Sequence, residues 1–266
     1  VDGGTLNAVD GAIDSEGIIT LASGILTAPS AASFTSAGDF IITGGTFTHS
    51  SGTVTFDGTT TLTSGGKTFN NIAIGTDSAS GLVTLADNLD VATIAFNTTG
   101  GTAAFDFDDN TINYSGATLN LTNCDIWDMT HTNSTIIFDG TTTLTSAAKA
   151  FNNITIGTDA ASGTLTLADN LDINGALNFN TTGGTAALDL DAYTIYSSGN
   201  IDLTNADTFD MTDAGALIVC DGAADQTFNP GSEILTKLTI ATTGSDRKST
   251  RLNSSNESTS RMPSSA

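Results

Sequence analysis

The chain repeats itself. Phe56-Asp57-Gly58-Thr59-Thr60-Thr61-Leu62-Thr63-Ser64 returns, at an offset of 82, as Phe138-Asp139-Gly140-Thr141-Thr142-Thr143-Leu144-Thr145-Ser146. Phe69-Asn70-Asn71-Ile72 returns as Phe151-Asn152-Asn153-Ile154, and Leu85-Ala86-Asp87-Asn88-Leu89-Asp90 as Leu167-Ala168-Asp169-Asn170-Leu171-Asp172. Residues 46–90 align on 128–172 without a gap, with 31 identities in 45 positions. The offset becomes 83 where Phe96–Ala104 matches Phe179–Ala187. It is 82 again where Leu121-Thr122-Asn123 matches Leu203-Thr204-Asn205. A residue gained in one turn and lost in another is what a loop tolerates and a buried element does not. A divergent copy follows, with Cys220-Asp221-Gly222 where Phe138-Asp139-Gly140 stood and Lys237-Leu238-Thr239-Ile240 as a variant of Asn-Ile-Thr-Ile. The chain therefore divides into a partial copy (1–45), copy one (46–127), copy two (128–209), a partial third copy (210–245) and a tail (246–266).

Within a copy the apolar residues alternate. Val54/Phe56, Val83/Leu85, Leu89/Val91, Ile94/Phe96, Phe105/Phe107 and Leu119/Leu121 each occupy one face, as do Ile136/Phe138 and Leu188/Leu190 in copy two. Period two is the strand signature, and Gly, Asn or Asp closes each run with a turn. Composition agrees. Thr numbers 48 of 266 residues, and the acids are 26 Asp to three Glu. Asp and Asn compete with the helix for backbone hydrogen bonds, whereas Glu supports it. Runs this short cannot bury a face alone, so tandem copies must stack. The expected fold is all-β, a parallel β-solenoid (β-helix), with roughly four coils of about 20 residues per repeat. That makes about a dozen coils in a rod ~55–60 Å long, at ~4.8 Å per coil. Tandem antiparallel sandwiches are the alternative. Their hairpin signals are nearly absent, since Asn-Gly occurs only at Asn174-Gly175.

Charge narrows the function. The net charge is −22, which opposes binding of nucleic acid through its phosphates. No run of about 20 apolar residues is present to cross a bilayer as a helix. Residues 1–245 hold three lysines (Lys67, Lys149, Lys237), no arginine and 27 acids; residues 246–266 hold Arg247, Lys248, Arg251 and Arg261 against two acids. The break marks the tail as foreign. Asp246–Ser255 and Ser260–Ala266 resemble an in-frame translation of a sequencing-library adapter, with Asn256–Thr259 where a variable index falls. Asn256 itself stands where the standard adapter reads His. The expectation is a disordered, non-native tail on a fragment whose natural C-terminus is missing, and Val1 in place of Met points to a cut N-terminus as well.

Phe-Asp-Gly-Thr, then Phe-Asn-Asn-Ile-Thr-Ile (151–156), then Leu-Thr-Leu-Ala-Asp-Asn-Leu-Asp-Ile-Asn-Gly-Ala-Leu (165–177) resembles the repeats of large bacterial surface proteins, the adhesin-like and autotransporter-passenger-like β-helices. The resemblance spans about residues 40–245. It implies right-handed parallel coils and extracellular or cell-surface display.

The candidate site residues carry little chemistry by their spacing. His49 and His131 occupy the same repeat position, and Asp213 takes the place in the third copy, so both read as exposed turn residues. Cys124 and Cys220 occupy different repeat positions, too distant for a disulfide. Cys220 replaces Phe56 and Phe138 and is expected in the core. Asp106-Phe107-Asp108-Asp109-Asn110 has clustered oxygens but lacks the central Gly and closing Glu of a calcium loop. It reads as a solvated acidic turn. Asp108 and Asp109 are adjacent and would diverge on a strand, unlike the paired carboxylates of a glycosidase. Thr59–Thr63 and Thr141–Thr145 recur only once per repeat, too rarely for a Thr array on every coil. Asn70 and Asn71, with Asn152 and Asn153, are turn residues whose copies do not fall on adjacent coils. No catalytic, cofactor-binding or metal-binding residue is therefore expected.

The functional expectation is a rigid stalk or adhesion rod of a secreted or cell-surface protein, and not an enzyme. Its partners would be a host-surface glycan or protein receptor, or other rods through the solenoid ends, with no nucleic acid and no membrane insertion. The alternatives are a phage or virion fibre segment, a glycan- or ice-binding β-helix and, last, a polysaccharide-active enzyme.

Overall fold

Strands this short need a hydrogen-bonded neighbour on each edge, and in the computed structural model they find it by coil stacking. The structure describes residues 1–97, 100–180 and 183–241. These hold thirty strands of two to eight residues, and no helix occurs among them. The strand pairings are parallel and join strands of successive coils. Thr5 sits beside Ile25, Phe69 beside Val91, Thr111 beside Thr135 and Leu165 beside Leu188. This is a parallel β-solenoid of about eleven coils, and the antiparallel alternative is excluded.

Each coil has three faces. The first face begins with Thr5–Asn7, Ile25–Thr27 and Thr46–Thr48. The second begins with Ile13–Ser15, Phe34–Ser36 and Thr53–Phe56. The third begins with Ile19–Leu21, Phe40–Ile42 and Thr59–Thr63. Two longer strands turn a corner. In Thr68–Ile74, Thr68 and Phe69 continue the first face, where Phe69 stacks on Phe47 at 4.9 Å. Asn71–Ile74 lies on the second face against Thr53–Phe56. Leu89–Phe96 bends the same way, pairing with Thr111–Tyr114 through its first half only.

The coil count corrects the sequence expectation. Copy one holds nine strands, and the two that bend supply an extra face segment each, so the copy has eleven. At three segments per coil, one repeat spans three and two-thirds coils, not four, and each coil is correspondingly longer than expected. A repeat need not close on a whole coil, because the three faces share one chemistry, apolar inward and polar outward. Consecutive copies are consequently mounted one face apart. Val54 and Phe56 lie on the second face beside Ile72 and Ile74. Their counterparts Ile136 and Phe138 lie on the first, between Ile112/Tyr114 and Ile154/Ile156. Eleven coils at ~4.8 Å make a stack about 50 Å long.

The core follows the alternation. Every apolar pair singled out by period two is buried, as is Cys220 in its expected core slot. Aromatic rings thread the interior: Trp127 packs against Phe96, Phe105, Phe107 and Phe151 with centroids 4.8–6.2 Å apart. Fully burying such side chains contributes roughly 1.5–3 kcal/mol each. The adapter-like segment 246–266 lies outside the described residues.

Candidate functional site

Several aspartates hold turns in place. Asp87 accepts the Ser64 and Gly65 amides of the preceding coil at 2.6 and 2.7 Å. In copy two Asp169 accepts those of Ser146 and Ala147, both at 2.7 Å. Asp125 takes the Ala103 amide and Asp207 that of Ala186. Asp128, Asp202 and Asp210 each close a local turn by accepting the amide and hydroxyl of the Thr two residues on. These are the Asx geometries that make Asp a turn former. Thr130 thereby holds the Asp128 carboxyl below its usual range, with His131 nearby acting the same way. Thr212 does likewise for Asp210.

At one place side chains converge. Asp106 and Asp128 are directly paired on the third face, one coil apart. His131 returns from the following turn, and one ligand atom from each of the three lies within 4.8 Å of the others. His131 Nε2 also stands 3.7 Å from Asp108 Oδ1. Asp108 adopts the left-handed backbone region at φ 49°, its amide donating to Asp106 Oδ1 at 2.8 Å. Copy two repeats the turn with Asp189 and Asp191 at φ 48° and the pairing with Asp210, but has Asp213 in place of the imidazole. Sequence spacing treats His131 and the Asp106–Asn110 turn as separate features. The missing signal is the coil length, which puts Asp128 beside Asp106.

The other candidates resolve structurally. His49 accepts the Ser51 amide on Nδ1 at 3.1 Å, as a turn residue. Cys124 and Cys220 are buried and form no disulfide, and burial pushes the Cys124 thiol up to about 12. Asp109 accepts the Asn133 amide, 3.1 Å away in the next coil. Asn70 donates to the Ser51 carbonyl, and Asn152 and Asn153 donate to carbonyls of His131, Thr132 and Ser134. They tie their own coil to the preceding turn and do not form Asn–Asn ladders, as their repeat spacing implied.

Two surface patches were not legible from repeat spacing. On the second face Thr143 lies between Thr118 and Thr166, with Thr141 beside Thr164 and Thr145 beside Asn120. Thr residues on neighbouring coils of one copy and the next are thus brought together, which recurrence once per repeat had concealed. On the third face Leu82, Ala104 and Ile126 form an outward apolar ladder along a shallow groove with Gly58, Thr59 and Thr102. Leu82 and Ile126 are exposed. No helix among the described residues is long and apolar enough to cross a membrane. No protein-family model, curated protein or solved structure matches the chain.

Proposed function

We propose that the chain is a structural segment of a secreted or cell-surface protein, a stiff spacer or adhesion rod. The observation that carries this reading is the coil-on-coil stack, in which one parallel sheet runs through eleven strands from Ile13–Ser15 to Phe228–Asn229. Backbone hydrogen bonds run parallel to the axis from coil to coil, so stretching or bending the stack must open them. Inward Val, Ile, Leu and Phe columns stabilise it, and polar side chains are spent on holding turns to neighbouring coils. A net charge of −22 keeps neighbouring rods apart in solution. Such quasi-one-dimensional stacks set a distance between the parts they join.

Electron microscopy of the purified full chain should show rods whose stacked part is about 50 Å long. The gene carrying this segment should also encode an outer-membrane barrel or a wall-sorting signal. Phage structural genes as its neighbours would move the reading to a virion fibre. Cleavage of acidic polysaccharides by the purified chain would overturn it. The stacked Thr patch supports a second reading, a hydroxyl array that orders water or ice. Thermal hysteresis lost in a Thr143→Lys variant would establish that reading, and its absence in the parent chain would remove it.

A further inference from the structure

We propose that Asp106, Asp128 and His131 bind a divalent transition-metal ion of the zinc class. The donor set is mixed, one imidazole and two carboxylates, and it is supplied by two coils that the parallel register holds side by side. An imidazole nitrogen suits zinc, copper, nickel or iron, whereas calcium seeks six to eight oxygens. Zinc donors lie ~2.1 Å from the ion, which on a tetrahedron places them ~3.4 Å from one another. The three ligand atoms already lie within 4.8 Å of each other.

The carboxylates are also presented for it. Asp106 commits Oδ1 to the Asp108 amide and Asp128 commits Oδ1 to Thr130, which leaves the second oxygen of each without a hydrogen-bond donor among the described residues. Like charges directly opposite on neighbouring strands repel, and a cation between them reverses the sign of that contact. Three protein ligands leave a fourth position for water or for Asp108, whose carboxylate already borders the imidazole. The ion would staple one coil to the next.

The test is titration of the metal-free full chain with zinc chloride by calorimetry, and with cobalt chloride by visible absorption. One equivalent should bind, and the cobalt form should show the spectrum of a nitrogen-ligated ion. Asp106→Asn, Asp128→Asn and His131→Gln should each weaken zinc at least tenfold. His49→Gln and Asp210→Asn, which alter the other histidine and the copy-two counterpart of Asp128, should leave it unchanged. His131 is exposed, so its variant keeps the fold, checked by an unaltered circular dichroism spectrum. Zinc binding by His131→Gln equal to the parent, several weak equivalents that calcium displaces, or no binding at all would overturn the site.

Discussion

Copies one and two share most of their residues over the aligned segment, yet they do not share their surroundings. Each is wound three and two-thirds times round the axis, so every side chain of copy two sits one face away from its counterpart. Contacts made inside a copy survive the shift. Ser64 and Ser146 hydroxyls donate to the carbonyls of Asn88 and Asn170 at the same 2.7 Å. The Asp87 clamp, at 2.6 and 2.7 Å, matches the Asp169 clamp, at 2.7 Å to both amides. Contacts across a copy boundary do not survive it. On the side facing the preceding copy, Thr59–Thr63 meets Asp39 and Ile41, whereas Thr141–Thr145 meets Thr118 and Asn120; on the other side, inside the copy, the register is kept, with Thr61 beside Thr84 and Thr143 beside Thr166. The same strand sequence thus builds a mixed surface in one copy and a hydroxyl patch in the other.

The largest effect expected from breaking this comparison is in the core. Trp127 packs against four rings, whereas its counterpart Phe209 packs against Phe179 at 6.4 Å. Trp127→Ala should lose about 4 kcal/mol in urea denaturation followed by circular dichroism, and Phe209→Ala about 3. Trp127→Phe should be close to neutral, because the buried indole N–H has no acceptor and its removal relieves a desolvated donor. Equal losses for the two alanine variants would show that ring neighbours do not set the difference.

The clamps come next. Asp87→Ala and Asp169→Ala each remove two amide-to-carboxylate hydrogen bonds, and each should cost about 2 kcal/mol. Because both clamps lie within a copy, the two losses should agree. A clear inequality would mean that faces are not interchangeable even for contacts inside a copy.

The adjoining turn separates the copies again, by about 1 kcal/mol per residue. Gly65 and Gly66 adopt φ 58° and 68°, and copy two holds Ala147 and Ala148 in the same region at 51° and 60°. Ala148→Gly should raise the melting temperature and Gly66→Ala lower it. At Gly66 an added Cβ meets nothing, so the change reports backbone strain alone. Gly65→Ala should cost more, since its Cβ would collide with the Ile42 carbonyl oxygen. In copy two the strand leading into this turn pairs with a different neighbour, Thr118–Asn120.

Smallest are the proton-linked effects. Burial, with Asp90 nearby, raises the Asp139 carboxyl, and burial with Asp221 raises Asp172. An acid raised by folding binds its proton more tightly in the folded chain, so stability from these groups grows as pH falls through their raised values. Asp139→Asn should therefore stabilise slightly at neutral pH, with the gain vanishing in acid. Asp128 and Asp210 run the other way. Their contribution is full above the unfolded carboxylate value and fades as pH falls through their lowered folded values. Denaturation curves measured across that range would separate the two signs.

Much of this was legible in the residues. Alternation of Val54/Phe56 or Leu188/Leu190 predicted which side chains are inside, and the Gly, Asn and Asp punctuation predicted where strands end. The spatial cluster of Asp106, Asp128 and His131 was not legible, nor was the Thr118–Thr143–Thr166 row. Both depend on which coil lies next to which, and repeat spacing says nothing about that when the repeat is not a whole number of coils.

Sequence alone therefore determined the inside and the outside of this protein, because period-two alternation is a local property of each strand. Only the tertiary structure decided the neighbours. Coil closure depends on the summed lengths of strands and turns, and here that sum does not divide the repeat evenly. The mismatch rotates each copy by one face and thereby assigns every outward side chain its partners.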